Sequence, residues 1–287
     1  MRSNQLGFDL NGYVAVVTGA SRGLGRVYAR ALAAAGAAVA VTGRSPTDLR
    51  ETVQLIEAAG GRAIPMNFDV ADPDGVDRAV NVIQEQLGAV DVLINNAGVS
   101  GPVGYSWDVD PDSWWQTLEI HVRGTYLCSR AVLPGMIRHR GGRIINIVSH
   151  AGVFRFPTAS AYSVAKAAVI KLTENLAVEL KRNNIYVFAF HPGLVDGGLT
   201  HAALEEDVSI DSPARAATKW VREQYEAGQA VPPELAIDAI LLLASGGADE
   251  LSGRYLTVFD DLAMLAATAE TIRRNDLLTL RLRQVAQ

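Results

Sequence analysis

Cysteine is nearly absent from this 287-residue chain. Cys128 is the only one, which excludes an intrachain disulfide framework and leaves no basis for a cysteine-built zinc site. The five histidines, at 121, 139, 150, 191 and 201, show neither an i, i+4 pair nor an HExxH spacing, so no metal is implied. Basic charge is not in excess: 26 Lys and Arg against 31 Asp and Glu leave a formal net charge of -5. Nucleic-acid binders carry a basic face, so no nucleic-acid partner is expected. The longest weakly polar stretch, Ala31–Val41, is Ala/Gly-rich and far short of the ~20 residues a bilayer span needs, so no membrane partner is expected either. The N-terminal MRSNQLGFDLNGY lacks the apolar core of a signal peptide. Internal repeats, low-complexity tracts and Pro/Ser-rich linkers are missing too. With 49% hydrophobic residues the chain can bury a sizeable core. These absences leave the expectation of a single-domain (1–287), soluble, cytoplasmic enzyme.

Two periodicities alternate along the chain. Short β-branched runs occur at Tyr13–Thr18, Ala38–Thr42, Ala63–Phe68, Asp91–Asn95, Arg143–Val148, Ile185–Phe190 and Tyr255–Phe259. Nearly all are apolar throughout, as strands buried on both faces of a parallel sheet must be. Helical patterns fill the gaps at about Arg22–Ala35, Thr47–Ala59, Pro73–Leu87, Asp112–Arg138, Ala161–Arg182 and Pro233–Ala244. Ser45 and Asp72 are good helix starts, and Gly36, Gly60 and Gly88 sit where helices should stop. The repeated β-α-β rhythm predicts an α/β fold, a doubly wound parallel sheet of about seven strands with helices on both faces. Residues 194–231 break the rhythm after the sixth strand and read as a loop insertion on the substrate side, at the sheet edge where such folds bind ligands. The tail, 260–287, has helical, amphipathic spacing and suits a solvated last helix or a subunit contact.

After the first strand the chain reads Thr18-Gly19-Ala20-Ser21-Arg22-Gly23-Leu24-Gly25 and then enters a helix. Glycines let the backbone turn tightly and approach a pyrophosphate, and the helix N-terminus offers unpaired N–H groups to the anion. Gly19, Ser21, Arg22, Gly23, Leu24 and Gly25 are therefore candidate dinucleotide ligands. The second strand leaves through Gly43-Arg44, with no carboxylate before Asp48. An acidic residue there would favour NAD, whereas Arg44, with Arg22 nearby, suits a 2′-phosphate, so NADP(H) is favoured and NAD(H) is the alternative.

Tyr162 and Lys166 stand four residues apart, on one helix face. Ser149 ends the fifth strand thirteen residues before Tyr162, Asn95-Asn96-Ala97-Gly98 ends the fourth, and His191-Pro192-Gly193 ends the sixth. All converge on the carboxyl edge of the predicted sheet. From Gly12 to Phe259 the sequence resembles the short-chain dehydrogenase/reductase family, through TGASRGLG at Thr18–Gly25, FDV at Phe68–Val70, NNAG at Asn95–Gly98, Ser149, YSVAK at Tyr162–Lys166 and HPG at His191–Gly193. The resemblance implies a Rossmann-like core over 12–259. It places Asp69 and Val70 beside an adenine, and it has Asn95, Ala97 and Gly98 supporting the adenosine ribose and the central sheet. Pro192, Gly193 and Val195 would border the nicotinamide. It also implies a homotetramer or homodimer.

The residue types suit carbonyl–alcohol chemistry. Tyr162 would be general acid in reduction and general base in oxidation, with its pKa lowered by Lys166, which would also hold the nicotinamide ribose; Ser149 would hold the substrate oxygen. The expected function is an NADP(H)-dependent carbonyl reductase or alcohol dehydrogenase, interconverting a ketone and a secondary alcohol on a lipophilic small molecule. Alternatives are an NAD-dependent alcohol dehydrogenase of the same family and a catalytically impaired dinucleotide-binding regulator.

Two positions depart from the family pattern. His121 stands where an Asn is usual. It could still contribute its main-chain carbonyl, could join a proton relay, or could be a tolerated substitution, and it is kept as a fourth candidate catalytic residue. Gly197 replaces a common Thr, for which Thr200 is a candidate substitute. His150 is expected to point away from the substrate, because neighbours on a strand alternate faces. Trp107, Trp114, Trp115, Phe154 and Phe156 suit core positions or, since they flank the site, an apolar or cyclic substrate. Asp108, Asp110 and Asp112 read as helix caps.

Overall fold

The β-branched runs pair side by side in the computed structural model, which describes residues 7–195 and 213–282. Seven strands form one sheet: β1 (Val14–Val17), β2 (Ala38–Gly43), β3 (Arg62–Asn67), β4 (Val92–Asn95), β5 (Gly142–Ile147), β6 (Ile185–His191) and β7 (Tyr255–Thr257). Their order is β3-β2-β1-β4-β5-β6-β7 and every neighbouring pair is parallel. The chain winds outward from β1 to β3, then returns to place β4 on the other flank of β1. The carboxyl ends of β1 and β4 thus meet at the switch point, where an open α/β sheet leaves a crevice.

Helices α1 (Gly23–Ala34), α2 (Pro46–Ala58), α3 (Pro73–Leu87), α4 (Pro111–Leu118), α5 (Gly124–His139) and α6 (Ser160–Leu180) make the crossovers. Side chains alternate across each strand, so each feeds two cores. Ala15 and Val17 join Tyr28 and Leu32 of α1 on one face; Val14 and Val16 join Ile83 of α3, Leu127 of α5 and Leu176 of α6 on the other. This is the three-layer, doubly wound arrangement expected from the pattern. Ser45 and Asp72 cap α2 and α3 by accepting from the Asp48 and Asp74 N–H groups. Gly88, at φ +109°, closes α3 in a conformation that side chains rarely adopt.

Three expectations change. The long helix over 112–138 is interrupted by a π turn, Glu119–Arg123, between α4 and α5. The segment 194–231 is not loop throughout: Pro213–Glu226 forms α7, followed by α8 (Pro233–Ser245). The tail is not one helix. It makes two short ones, α9 (Leu262–Ala267) and α10 (Ala269–Arg274), and then runs back without helix. There Leu278 O accepts from Tyr255 N at 2.8 Å, and Glu174 of α6 accepts from Leu280 N at 2.7 Å and from Arg281 at 2.7 Å. Tertiary hydrogen bonds, rather than local periodicity, therefore shape the tail as far as Arg281.

Candidate active site

The turn after β1 is built for close approach. Gly19 and Gly23 lie at φ +65° and +55°, and a Cβ on Gly25 would stand 2.2 Å from the Gly19 carbonyl oxygen. A Cβ on Gly19 would also meet the Ala97 backbone at 2.9 Å, so the turn packs too closely for side chains there. α1 opens directly behind it with Arg22 as N-cap and no side-chain cap, so its first N–H groups remain available to an anion. This is the donor set a pyrophosphate needs. Asn96 latches the cradle from β4: its Nδ2 donates to Thr18 O at 2.9 Å, while Thr18 Oγ1 accepts from the Asn96 and Ala97 N–H groups at 2.9 and 3.0 Å. Sequence reasoning did not single out Thr18 or Asn96. The second Asn of the NNAG motif was the available signal.

At the end of β2, Arg44 is exposed, as is Arg22, and neither guanidinium has a protein partner among the described residues. Ser21 lies beside Gly43, with its Oγ 3.2 Å from where a Gly43 Cβ would sit. Glu51, a carboxylate of the neighbouring helix, is already paired with Arg26 at 2.8 Å. Arg22 after β1 and Arg44 after β2 are thus two exposed cations without a protein partner among the described residues.

Asn95 supports the central sheet, as expected. Its side chain is buried, with Nδ2 donating to Asn146 Oδ1 at 2.8 Å and Ser129 Oγ at 3.2 Å; Asn146 in turn donates to Thr173 Oγ1 at 2.8 Å. This polar chain ties β4, β5, α5 and α6 together, so Asn95 serves the central sheet. Asp69 turns its carboxylate onto the Ala71 N–H at 2.9 Å, and Val70 is buried against Gly124.

Ser149, Tyr162 and Lys166 come together as the motifs predict. The Ser149 side chain lies beside the Tyr162 phenol, whose pKa it lowers, and its hydroxyl accepts from the Ala151 N–H at 3.2 Å. Lys166, one helical turn beyond Tyr162, is buried, with Nζ 5.4 Å from the centre of the phenol ring. Burial pushes the ammonium down to about 7. The expected lowering of Tyr162 is not found in the protein alone. Burial holds the phenol above its ordinary range against the lowering by Ser149, and Lys166 Nζ donates to the Ile147 carbonyl at 2.8 Å.

His121 lies in the π turn, with Nε2 2.8 Å from Val99 O and 3.2 Å from Val99 N. Burial, reinforced by the charge of Lys166, pushes it down to about 3, so the ring stays neutral. The neutral ring is held by its Nε2 on the Val99 backbone.

The other expectations resolve one by one. His150 does not follow strand alternation, because β5 ends at Ile147 and His150 opens a 3-10 turn, His150–Gly152. Asp110 caps α4 by accepting from Ser113 N at 2.8 Å. Trp114 donates to Ser160 Oγ at 3.0 Å, fastening α4 to the start of α6. Trp107, Trp115 and Phe154 are exposed rather than core residues. Gly193, at φ +79°, turns the chain after β6, and Val195 bridges to Val231. Gly197 and Thr200 lie outside the described residues.

Comparison with known proteins agrees with this geometry. A sequence profile of the short chain dehydrogenases matches residues 13–208. A short chain dehydrogenase of Pseudocercospora fijiensis is 34% identical over 265 residues, covering 91% of this chain and 85% of that protein. A cis-4-hydroxycyclohexanecarboxylate dehydrogenase of Sinomonas cyclohexanicum is 35% identical over 245 residues, covering 85% and 94%. Among solved structures, a gluconate 5-dehydrogenase of Burkholderia cenocepacia in complex with NADP and tartrate superimposes with a TM-score of 0.78 at 29% identity, covering 87% of this chain and 94% of that one. The chain belongs to the short-chain dehydrogenase/reductase family and is an oxidoreductase acting on CH–OH and C=O groups with a nicotinamide dinucleotide.

Proposed function

We propose that the protein is a cytoplasmic, homotetrameric or homodimeric NADP(H)-dependent oxidoreductase that interconverts a ketone and a secondary alcohol on a lipophilic small molecule. The observation that carries this reading is the Ser149 side chain set beside the Tyr162 phenol, with Lys166 buried one turn away. The dinucleotide, when bound, supplies or accepts the hydride. Ser149 holds the substrate oxygen. Tyr162, kept protonated by burial, donates its proton as charge develops on that oxygen, and takes the proton back in the oxidative direction. Lys166 holds the ribose and stabilises the phenolate that donation leaves. His121 positions this group through Val99 and the Tyr162 ring.

The cradle residues Gly19, Ser21, Gly23, Leu24 and Gly25 would hold the pyrophosphate, and Arg22 with Arg44 the 2′-phosphate. Asp69 and Val70 would border the adenine, Ala97 and Gly98 the ribose, and Pro192, Gly193 and Val195 the nicotinamide. The gluconate 5-dehydrogenase that superimposes holds NADP. The ring substrate named for the Sinomonas relative supports a cyclic substrate.

Fluorescence titration with NADPH and NADH tests the cofactor: tighter NADPH binding, lost in Arg44→Asp, is expected, and a clear NADH preference would refute it. Tyr162→Phe should lower ketone reduction by about a hundredfold or more with NADPH binding intact. Retained turnover would place the proton donor elsewhere.

A further inference from the structure

Beside Ser149 lies a second group that the reaction as described does not use. His150 Nδ1 is 2.7 Å from Tyr255 Oη. The phenol is the stronger donor of the two, and burial followed by the charge of Asp260 holds it above its ordinary range, so Tyr255 donates to Nδ1 and His150 carries its proton on Nε2. That Nε2–H has no protein partner among the described residues, and the imidazole is only half-buried. Around it stand Phe154, edge-on at 5.5 Å, and Phe259, parallel at 6.3 Å, both 65% exposed. The Phe259 ring reaches the turn after β6, its Cζ 3.4 Å from where a Gly193 Cβ would sit. An aromatic wall therefore runs from Ser149 to Gly193, with the Nε2–H of His150 set in it.

Two polar groups stand close to that proton. His191, 4.1 Å away between ring centres, is buried, and its Nδ1 has no hydrogen-bond partner among the described residues. Asp260 is committed to the Thr257 N–H and Oγ1 at 2.7 and 2.9 Å. A donor set in an aromatic wall discriminates between ligands that can and cannot meet it.

We propose that His150 contacts the substrate and selects ketones bearing a second, uncharged oxygen next to the reacting carbonyl, its Nε2–H donating to that oxygen while Tyr255 fixes the ring. Resting on the reading of Ser149 and Tyr162 above, this makes His150 a specificity residue and Tyr255 a positioning residue. The test compares kcat/KM for 2-hydroxycyclohexanone and cyclohexanone in the full-length enzyme. The wild type should favour the hydroxyketone by about tenfold or more. His150→Leu should bring the ratio close to one, Tyr255→Phe should lower it, and His150→Gln, which keeps a donor, should restore part of it. A proportional fall on both ketones, or a wild type without preference, overturns the inference and leaves the proposed reaction standing. A wild type that reduces neither ketone overturns both.

Discussion

The imidazole of His121 meets the ring of Tyr162 edge-on, with 5.4 Å between centres and an interplanar angle of 84°. Its other side rests on Gly98, where an added Cβ would come within 2.4 Å of His121 Cε1. The ring is thus wedged between the NNAG loop and the phenol. Gly98→Ala should push His121 against Tyr162 and lower turnover by about a hundredfold, since misplacement of about 1 Å has that effect. Combining Gly98→Ala with His121→Asn, whose side chain is shorter, should recover most of it. A double-mutant cycle on kcat checks this; additive losses would mean that the wedge does not act on Tyr162.

His121 and His191 also predict an acid limb of instability. Burial leads the causes that push both down to about 3 from the ordinary 6.5. The unfolded chain therefore binds more protons between these values. Their contribution to stability is complete above about pH 6.5 and is lost as the pH falls towards 3. Lys166, lowered from 10.5 to about 7, acts on the other side: stability rises as the pH climbs from 7 towards 10.5. Thermal unfolding across pH 4 to 8 should show a shallower acid limb in His121→Asn and in His191→Asn. An unchanged limb in both would assign acid sensitivity to other groups.

Dinucleotide binding should depend on the latch between β1 and β4. Asn96→Ala removes the donor to Thr18 O and should weaken dinucleotide binding about tenfold with the fold retained. Gly25→Ala should be more severe, because the added carbon meets the backbone oxygen of Gly19, which cannot swing aside. Titration followed by nicotinamide fluorescence, with circular dichroism as the control for folding, measures both. Equal affinity in Asn96→Ala would remove the latch from the account.

The tail is held on α6 by one carboxylate. Glu174 is buried and accepts from Lys171, Leu280 N and Arg281. Burial pushes it up, but these hydrogen bonds outweigh burial and keep it below its ordinary range. Arg281→Ala should cost about 1–3 kcal/mol and expose the tail to proteolysis after Arg274. Unchanged protease resistance would show that Leu280 packing suffices.

Much of this was legible in the residues. The strands are apolar on both faces because each is covered by helices on both sides, so their positions could be read without knowing their order. Gly19, Gly23 and Gly25 were legible because close backbone approach tolerates no Cβ. Tyr162 and Lys166 were legible because a four-residue spacing repeats a helix face. The alternation rule did not apply to His150, because β5 ends at Ile147, before it. The partners through which Asn95 supports the central sheet were not legible, because Asn146 and Ser129 lie 51 and 34 residues away.

By itself the sequence determined the layered α/β fold and the family, since both rest on local spacing and side-chain chemistry. Only the tertiary structure decided where the buried charges point, that His121 is neutral and wedged, that Tyr255 orients His150, and that the tail returns to Glu174. Those outcomes depend on burial and on partners distant in the chain, and neither is encoded in any short stretch of residues.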